Sequence, residues 1–245
     1  MSKPVLYLNI ILAAVFLIYL IRYLWSLFHE GFYRPEEWAE AIRKGRIDKR
    51  LNKARRGYKD KLRFYAMWLQ VEKIRNKKVK GVFAELGVYK GDTALILHFL
   101  DPDRELHLFD TFNGFPAADL IDEKGEAAAY TTKNFADTSL QKVKAKLGDS
   151  GKIFYHQGHF PETSTGLENL SFSFVSMDAD LYKPTKAGLE FFYPRLSPGG
   201  VIFIHDYNCH WEGIRKAVDE FTATENATIT LLPDRDGTVV LTKQS

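Results

Sequence analysis

The sequence of 245 residues contains a single cysteine, Cys209. One cysteine cannot form an intramolecular disulfide, which excludes a disulfide framework and suits a reducing compartment such as the cytoplasm. The chain also lacks internal repeats, which excludes a repeat architecture. It does contain 45% hydrophobic residues, enough at this length to bury one sizeable core. We therefore expect one α/β domain with an appendage.

The appendage lies at the N-terminus, where residues 5–21 are apolar apart from Asn9. At ~1.5 Å of helical rise per residue, a helix over about residues 5–27 crosses the ~30 Å hydrocarbon core of a bilayer. We predict a transmembrane helix there, within an N-terminal anchor of residues 1–30. The aromatic residues expected at its far interface are Tyr19, Tyr23 and Trp25. The alternatives are a cleaved signal peptide, whose apolar region is usually shorter, and a buried core helix, which is rarely apolar on almost every face.

The segment that follows, residues 31–80, holds 17 lysines and arginines against six acidic residues, in a chain of net charge +3. Basic flanks mark the cytoplasmic side of a membrane helix, so we predict a single-pass membrane protein with residues 81–245 as a cytoplasmic domain. A basic helical linker beside a membrane binds anionic lipids, at roughly 1 kcal/mol per basic residue. A solvated helix face explains part of the excess, and the helical pattern disfavours nucleic acid as a partner.

The most informative motif is VFAELGVYKGDTA at residues 82–94, where an apolar strand ends on Glu85 and the chain turns through two glycines. Ligands of open α/β sheets lie outside the carboxyl ends of the strands. Dinucleotide sites have G-x-G-x-x-G spacing, whereas Glu85 precedes GxxxG here and would repel a pyrophosphate. A cationic ligand is favoured, and S-adenosylmethionine carries an ammonium and a sulfonium. The predicted cofactor turn comprises Glu85, Gly87, Val88, Tyr89 and Gly91. The alternative is an ordinary turn with a helix-packing glycine.

Two further strand ends complete the predicted cofactor site. The strand at residues 106–109 ends on Asp110, 25 residues after Glu85, where dinucleotide-type folds place an acid that binds ribose hydroxyls. Asp110 and Thr111 also fit a turn, so backbone capping is the alternative. The adenine is expected beside the end of the third strand, formed by Gly158, His159 and Phe160.

Alternating strands and helices after residue 80 predict a doubly wound, mostly parallel, seven-stranded Rossmann-like sheet with a C-terminal antiparallel hairpin. The predicted helices are residues 93–100, 139–147, 184–195 and 211–224. The predicted strands begin near residues 82, 104, 152, 172, 201, 228 and 237. A chain break is expected at residues 198–200. The polar connection at residues 115–137 has no clear period, which predicts a lid or substrate loop.

The fourth and fifth predicted strands also end on acids, with Asp178 and Asp180 after the fourth and His205 and Asp206 after the fifth. Adjacent parallel strands would bring these ends together. Carboxylate oxygens with one imidazole suit a hard divalent ion, either magnesium or the more nitrogen-tolerant manganese. Helix capping by the aspartates and a hydrogen-bonded histidine near the core are the alternatives. On position alone, Asp180 and His159 are candidate general bases.

Four segments resemble, in order, the macrocin O-methyltransferase family over roughly residues 80–243: ELGVYKGDTA, LFDTFNGFP, SMDADLYKPT and SPGGVIFIHDYN. Members of that family use S-adenosylmethionine to methylate sugar hydroxyls on natural products. The resemblance implies a methyltransferase sheet and a magnesium site at Asp178, His205 and Asp206, with Asp178 also a candidate catalytic proton acceptor. A more distant likeness to catechol O-methyltransferase covers the same turn and acidic strand ends.

One position departs from the family pattern. The family usually has Asp-Asp-Tyr where this chain has His205-Asp206-Tyr207. A neutral imidazole in place of a carboxylate removes one negative charge, so weaker magnesium binding and a shifted metal preference are expected.

The expected reaction is metal-assisted transfer of a methyl group from S-adenosylmethionine to a hydroxyl of a sugar or glycosylated small molecule, soluble or lipid-linked, near the membrane. One alternative is a membrane-tethered module that binds the cofactor without catalysis. Another is a nicotinamide-dependent sugar oxidoreductase, against which the position of Glu85 argues. A homo-oligomer is compatible with the sequence.

Overall fold

The computed structural model describes residues 3–29, 34–148, 150–208, 210–225 and 227–243. The chain divides into two compact units, Met1–Arg46 and Ile47–Ser245. Cys209 and the predicted boundary at residues 30 and 31 lie outside the described residues.

The first unit contains two helices, α1 (Lys3–His29) and α2 (Glu36–Arg43). By length and composition, α1 is apolar enough to cross a membrane from Lys3 to Trp25, and its side chains are exposed over that span. The predicted helix is therefore present, and its insertion into a membrane stays a prediction. In α2, acidic residues occupy the first turn and Arg43 the last, the charge order that opposes the helix dipole.

The second unit is built on a seven-stranded sheet. Its strands are β1 (Val82–Leu86), β2 (Leu106–Asp110), β3 (Ile153–Gln157), β4 (Phe172–Met177), β5 (Leu196–Ile204), β6 (Ile229–Leu231) and β7 (Val239–Thr242). The spatial order is β3-β2-β1-β4-β5-β7-β6. The first five strands are parallel, and β7 runs antiparallel to β5 and β6. This confirms the predicted mostly parallel sheet with its C-terminal hairpin.

Six α-helices accompany the sheet within the described residues. They are α3 (Lys49–Gly57), α4 (Lys61–Asn76), α5 (Asp92–Leu100), α6 (Leu140–Leu147), α7 (Tyr182–Phe192) and α8 (Glu212–Glu225). The last four match the predicted helices to within three residues at each end. Side-chain N-caps explain where two of these helices begin. The Asp60 carboxylate accepts a hydrogen bond from the backbone N–H of Arg63 in α4, and the Ser139 hydroxyl accepts one from the backbone N–H of Lys142 in α6.

The fifth strand differs from its prediction. A break was expected at residues 198–200, but β5 runs through them from Leu196. The pairing explains the difference, because Phe172 of β4 lies opposite Leu196 whereas Phe174 lies opposite Val201. The extra residues of β5 form a bulge, the kind of irregularity that tolerates proline and glycine within a strand.

The core of this unit lies on both faces of the sheet. All six residues of β4 are buried, as a central parallel strand requires. The helix α4 contributes the buried side chains Phe64, Met67, Trp68, Val71 and Ile74. Residues 47–80, the larger part of the basic linker predicted at residues 31–80, therefore belong to the compact unit of the sheet.

The register of the strands aligns their carboxyl ends. Leu86 of β1 lies opposite both Phe109 of β2 and Met177 of β4, and Met177 lies opposite Ile204 of β5. The residues that follow these positions therefore reach one edge of the sheet together.

Candidate active site

A cavity of about 540 Å³ opens at this edge. Every residue predicted for the cofactor, the metal and the general base lines this cavity except Gly91. The sheet thus brings together side chains that are up to 121 positions apart in the sequence, from Glu85 to Asp206.

The two glycines of the turn have structural roles. Gly87 has a φ of +84°, and an added Cβ would lie 2.0 Å from the carbonyl oxygen of Asp178. It is therefore required for the close approach of the β1 turn to the end of β4. Gly91 precedes α5 with a φ of +75°, and its Cβ would meet Val143 at 3.1 Å. At Gly91 the geometry matches the helix-packing alternative.

Glu85 is buried at the end of β1, with 2% of its surface exposed. Among the described residues, no group donates a hydrogen bond to its Oε2. Burial raises the pKa of Glu85 well above its ordinary range, Asp178 adds to the shift and the Arg63 guanidinium opposes it. A buried carboxylate oxygen without a donor fits the ammonium group of S-adenosylmethionine.

Asp110 is tied to the turn that follows β1. Its Oδ2 accepts hydrogen bonds from the backbone N–H groups of Val88 at 2.7 Å and Tyr89 at 2.8 Å, and its Oδ1 accepts one from Phe112 at 2.6 Å. These contacts correspond to the capping alternative. Oδ2 already accepts two hydrogen bonds and Oδ1 accepts one, so Oδ1 retains room for a ribose hydroxyl.

His159 lies between two carboxylates. Its Nε2 is 2.9 Å from Asp119 Oδ2, and its Nδ1 is 2.7 Å from Glu162 Oε2. Burial raises the pKa of Asp119, and the charge of His159 opposes that shift. Because both ring nitrogens are engaged, the geometry favours His159 as an anchor of the loop that carries Asp119 over its role as a general base.

Asp178, His205 and Asp206 offer three ligand atoms that all lie within 4.8 Å of one another. The Nδ1 atom of His205 is 3.2 Å from Asp178 Oδ1 and 3.0 Å from Asp206 Oδ1, without the alignment of a hydrogen bond to either. Ligands at right angles on an octahedral ion, with bonds of about 2.1 Å, lie about 3 Å apart. With His205 as a neutral imidazole, this donor set and its spacing fit a divalent cation.

The electrostatics distinguish the acids of this cluster. Burial would raise the pKa of Asp178, but His205 and Arg63 hold it below its ordinary range. Burial and the charges of Asp178 and Asp206 raise the pKa of Asp180 well above that range. For His205, burial lowers the pKa, yet the charge of Asp178 outweighs it and raises the pKa to about 10.

The sequence did not identify two residues of the cavity, Tyr58 and Arg63, which precede β1 in the chain. Arg63 of α4 donates from Nη1 to Asp178 Oδ2 at 3.0 Å and from Nη2 to Ser176 Oγ at 3.3 Å. The Tyr58 hydroxyl lies 3.0 Å from Thr93 Oγ1, and both residues line the cavity. One signal was available for Arg63, because this arginine occurs among the apolar positions of a helix.

The loop at residues 111–137 covers part of the cavity with aromatic rings. Phe115 stacks on Tyr130 with ring centroids 5.4 Å apart, and Phe135 contacts Tyr89 at 5.1 Å. Trp211, at the start of α8, donates from Nε1 to the Tyr130 hydroxyl at 3.2 Å. All of these residues line the cavity, where an acceptor would meet the cofactor.

The sheet order and the acidic strand ends define a methyltransferase fold of the type that binds S-adenosylmethionine, and solved structures agree. The O-methyltransferase NovP superposes with a TM-score of 0.65 at 24% identity, over 76% of this chain and 81% of that one. The calicheamicin methyltransferase CalS11 gives a TM-score of 0.57 at 25% identity, over 73% and 79%. The chain belongs to the macrocin O-methyltransferase (TylF) family, whose sequence model matches residues 55–241.

Two curated relatives carry more specific descriptions. An 8-demethyl-8-(2,3-dimethoxy-α-L-rhamnosyl)-tetracenomycin-C 4′-O-methyltransferase from Streptomyces olivaceus is 28% identical over 62% of this chain, which spans 61% of the relative's length. Mycinamicin III 3″-O-methyltransferase from Micromonospora griseorubida is 30% identical over 62% of this chain, which spans 64% of that protein.

Proposed function

We propose that this protein is an S-adenosylmethionine-dependent O-methyltransferase that acts on a sugar hydroxyl of a glycosylated small molecule. The observation that carries the proposal is that four adjacent strands direct acidic residues into one cavity, where no described residue donates a hydrogen bond to the buried Oε2 of Glu85. The names of the tetracenomycin and mycinamicin relatives support O-methylation and a sugar-bearing acceptor.

Cofactor binding is assigned to the ends of the first three strands. Glu85 binds the ammonium group, Asp110 with Thr111 binds the ribose hydroxyls, and Gly158 to Phe160 contact the adenine. Holding the sulfonium methyl in line with an acceptor oxygen supplies on the order of 7 to 11 kcal/mol of the barrier. Positioning is therefore the main contribution of these residues.

Activation of the acceptor is assigned to the ends of β4 and β5. Asp178, His205 and Asp206 would hold a divalent ion, magnesium or manganese. When bound, such an ion stabilises the negative charge that develops on the acceptor oxygen. Asp180 is assigned as the acceptor of the hydroxyl proton, because it lines the cavity two positions after Asp178, beyond the end of β4. Asp178 is less suited to this role, because its Oδ2 accepts a hydrogen bond from Arg63 and its Oδ1 faces His205, another of the proposed ligands.

The experiment is calorimetric titration of the full chain in non-ionic detergent with S-adenosylhomocysteine and, separately, with NADH. Binding of S-adenosylhomocysteine alone supports the proposal. Binding of NADH alone would favour a sugar oxidoreductase instead. A second step supplies labelled S-adenosylmethionine and a panel of glycosides with free hydroxyls. Cofactor binding without transfer to any of them would favour a non-catalytic module.

Two variants separate the ligand and base roles. Asp206→Ala should abolish both methyl transfer and Mn²⁺ binding while S-adenosylhomocysteine still binds. Asp180→Asn should lower the rate of methyl transfer by about 10²- to 10⁴-fold, the usual contribution of a general base. It should leave Mn²⁺ binding unchanged. Retained turnover in Asp206→Ala would exclude the metal-centred mechanism.

We also propose that α1 spans a membrane once, with the chain after it in the cytoplasm, and that the acceptor is encountered near that membrane, free or lipid-linked. The apolar length of α1 and the basic residues after it support this arrangement. Alkaline extraction of cell membranes tests it: the full chain should remain in the pellet, and a chain without residues 1–30 should be released. Release of both proteins would contradict the anchor.

A further inference from the structure

Arg63 is a buried cation inside an acidic cavity. Its side chain is 4% exposed, it belongs to α4, and its guanidinium reaches across to the end of β4. Among the described residues, the lysines and arginines that line the cavity are Lys59, Arg63 and Lys90. Only Arg63 is buried, whereas Lys59 and Lys90 are exposed. A buried charge is costly to retain unless it is paired, so its partners indicate what it does.

The partner of Arg63 is one oxygen of a candidate metal ligand. Nη1 donates to Oδ2 of Asp178 at 3.0 Å, while Oδ1 of the same carboxylate faces His205 Nδ1 at 3.2 Å. Nη2 donates to Ser176 Oγ at 3.3 Å, which fixes the plane of the guanidinium. The carboxylate therefore has one oxygen on the arginine side and one on the side of the cation ligands.

We propose that Arg63 is a positioning residue of the cation site: it holds Asp178 as a ligand through a single oxygen and, through its own charge, weakens the affinity of the site for a divalent ion. This inference rests on the proposed function. Groups that hydrogen-bond to a metal ligand orient it and tune the metal.

Two effects of removing Arg63 oppose each other. Loss of an orienting hydrogen bond weakens metal binding, whereas loss of the positive charge paired with a metal ligand strengthens it. Loss of an orienting contact typically lowers metal affinity about 10- to 100-fold. Repulsion between a unit charge and a divalent ion is weakly screened in a partly buried site, and we expect it to outweigh that loss. The net change should therefore be tighter binding.

The test uses the full chain in non-ionic detergent and measures free Mn²⁺ by electron paramagnetic resonance. Arg63→Gln should lower the Kd for Mn²⁺ at least about tenfold, and Arg63→Lys should stay within about threefold of wild type because the charge is kept. Arg63→Met, which retains the aliphatic stem, provides a second neutral variant. The matched control is Arg104→Gln, which removes a partly buried arginine at the opposite ends of β1 and β2 and should leave the Kd unchanged.

The outcomes separate this inference from the proposed function. Failure of wild type to bind S-adenosylhomocysteine would overturn the proposed function. With S-adenosylhomocysteine bound, an unchanged or weaker Mn²⁺ affinity in both neutral variants overturns the role of Arg63, as does the absence of Mn²⁺ binding in wild type and variants alike. Loss of cooperative unfolding in both neutral variants, restored by Arg63→Lys, would also overturn it, because the charge would then serve the fold.

Discussion

Trp211 donates its indole N–H to the hydroxyl oxygen of Tyr130 over a distance of 3.2 Å. The two residues are 81 positions apart, and the contact joins the loop after β2 to the start of α8 beside the cavity. A second hydrogen bond joins the same loop to the start of α7, where Glu123 Oε1 accepts from the backbone N–H of Tyr182 at 2.7 Å. The aromatic cover of the cavity is therefore joined to α7 and α8 by hydrogen bonds that single substitutions can remove.

Removing the hydrogen bond between Trp211 and Tyr130 should loosen this loop. Either Trp211→Phe or Tyr130→Phe removes a hydrogen bond that contributes about 1 kcal/mol to the closed state of the loop. The fraction of molecules with an open loop should therefore rise about fivefold. Trypsin cleavage after Lys124 or Lys133 measures that population and should accelerate to a similar extent in both variants. Tyr207→Phe, which removes a hydrogen bond to Asp219 outside the loop, is the control. Equal cleavage rates in all four proteins would show that the contact does not hold the loop.

Glu85→Gln should weaken binding of S-adenosylhomocysteine, which carries the same ammonium group as the cofactor. A hydrogen bond to a charged group contributes about 1.5 to 3 kcal/mol, so the Kd should rise about 10- to 100-fold. Calorimetry provides the measurement. Glu105→Gln is the matched control, because 41% of the Glu105 side chain is exposed and it pairs only loosely with Lys152 at 3.6 Å. A Kd for Glu85→Gln equal to that of the control would remove Glu85 from the ammonium site.

The same variant should change how stability depends on pH. Burial raises the pKa of Glu85 above its ordinary value of 4.5, so the folded protein holds this proton more tightly than the unfolded chain. The contribution of Glu85 to stability is therefore largest below pH 4.5 and is lost as the pH rises through the folded pKa. Urea denaturation of the ligand-free protein should show Glu85→Gln gaining stability over wild type from pH 4.5 to 7. Parallel pH curves for the two proteins would contradict this.

Gly87→Ala should destabilise the fold strongly. The added Cβ would lie 2.0 Å from the Asp178 carbonyl oxygen, and the φ of +84° costs a non-glycine residue about 1 to 2 kcal/mol by itself. We expect a loss of at least about 2 kcal/mol in the free energy of unfolding. Gly57→Ala is the comparison, since its Cβ meets nothing within 4 Å, and it should change stability by less than about 1 kcal/mol. Similar losses in both variants would mean that the β1 turn can move away from β4.

The architecture of the second unit could be predicted because its signals are local. Apolar runs ending on Glu85, Asp110 and Asp178 mark buried parallel strands, and each strand end directs its acid to the same edge of the sheet. The bulge within β5 could not be predicted in the same way, because Pro198 and the glycines after it resemble a chain break until β4 is placed beside them.

The sequence by itself determined the order of strands and helices, the apolar N-terminal helix, and the residue types that line the cavity, because hydrophobic periodicity and turn residues act over a few positions. Only the tertiary structure decided what those residues contact. The pairing of Arg63 with Asp178 spans 115 positions, that of His159 with Asp119 spans 40, and the fit of Gly87 against Asp178 depends on two strands being neighbours. Such contacts depend on how the helices and strands pack, and local sequence patterns carry no record of that packing.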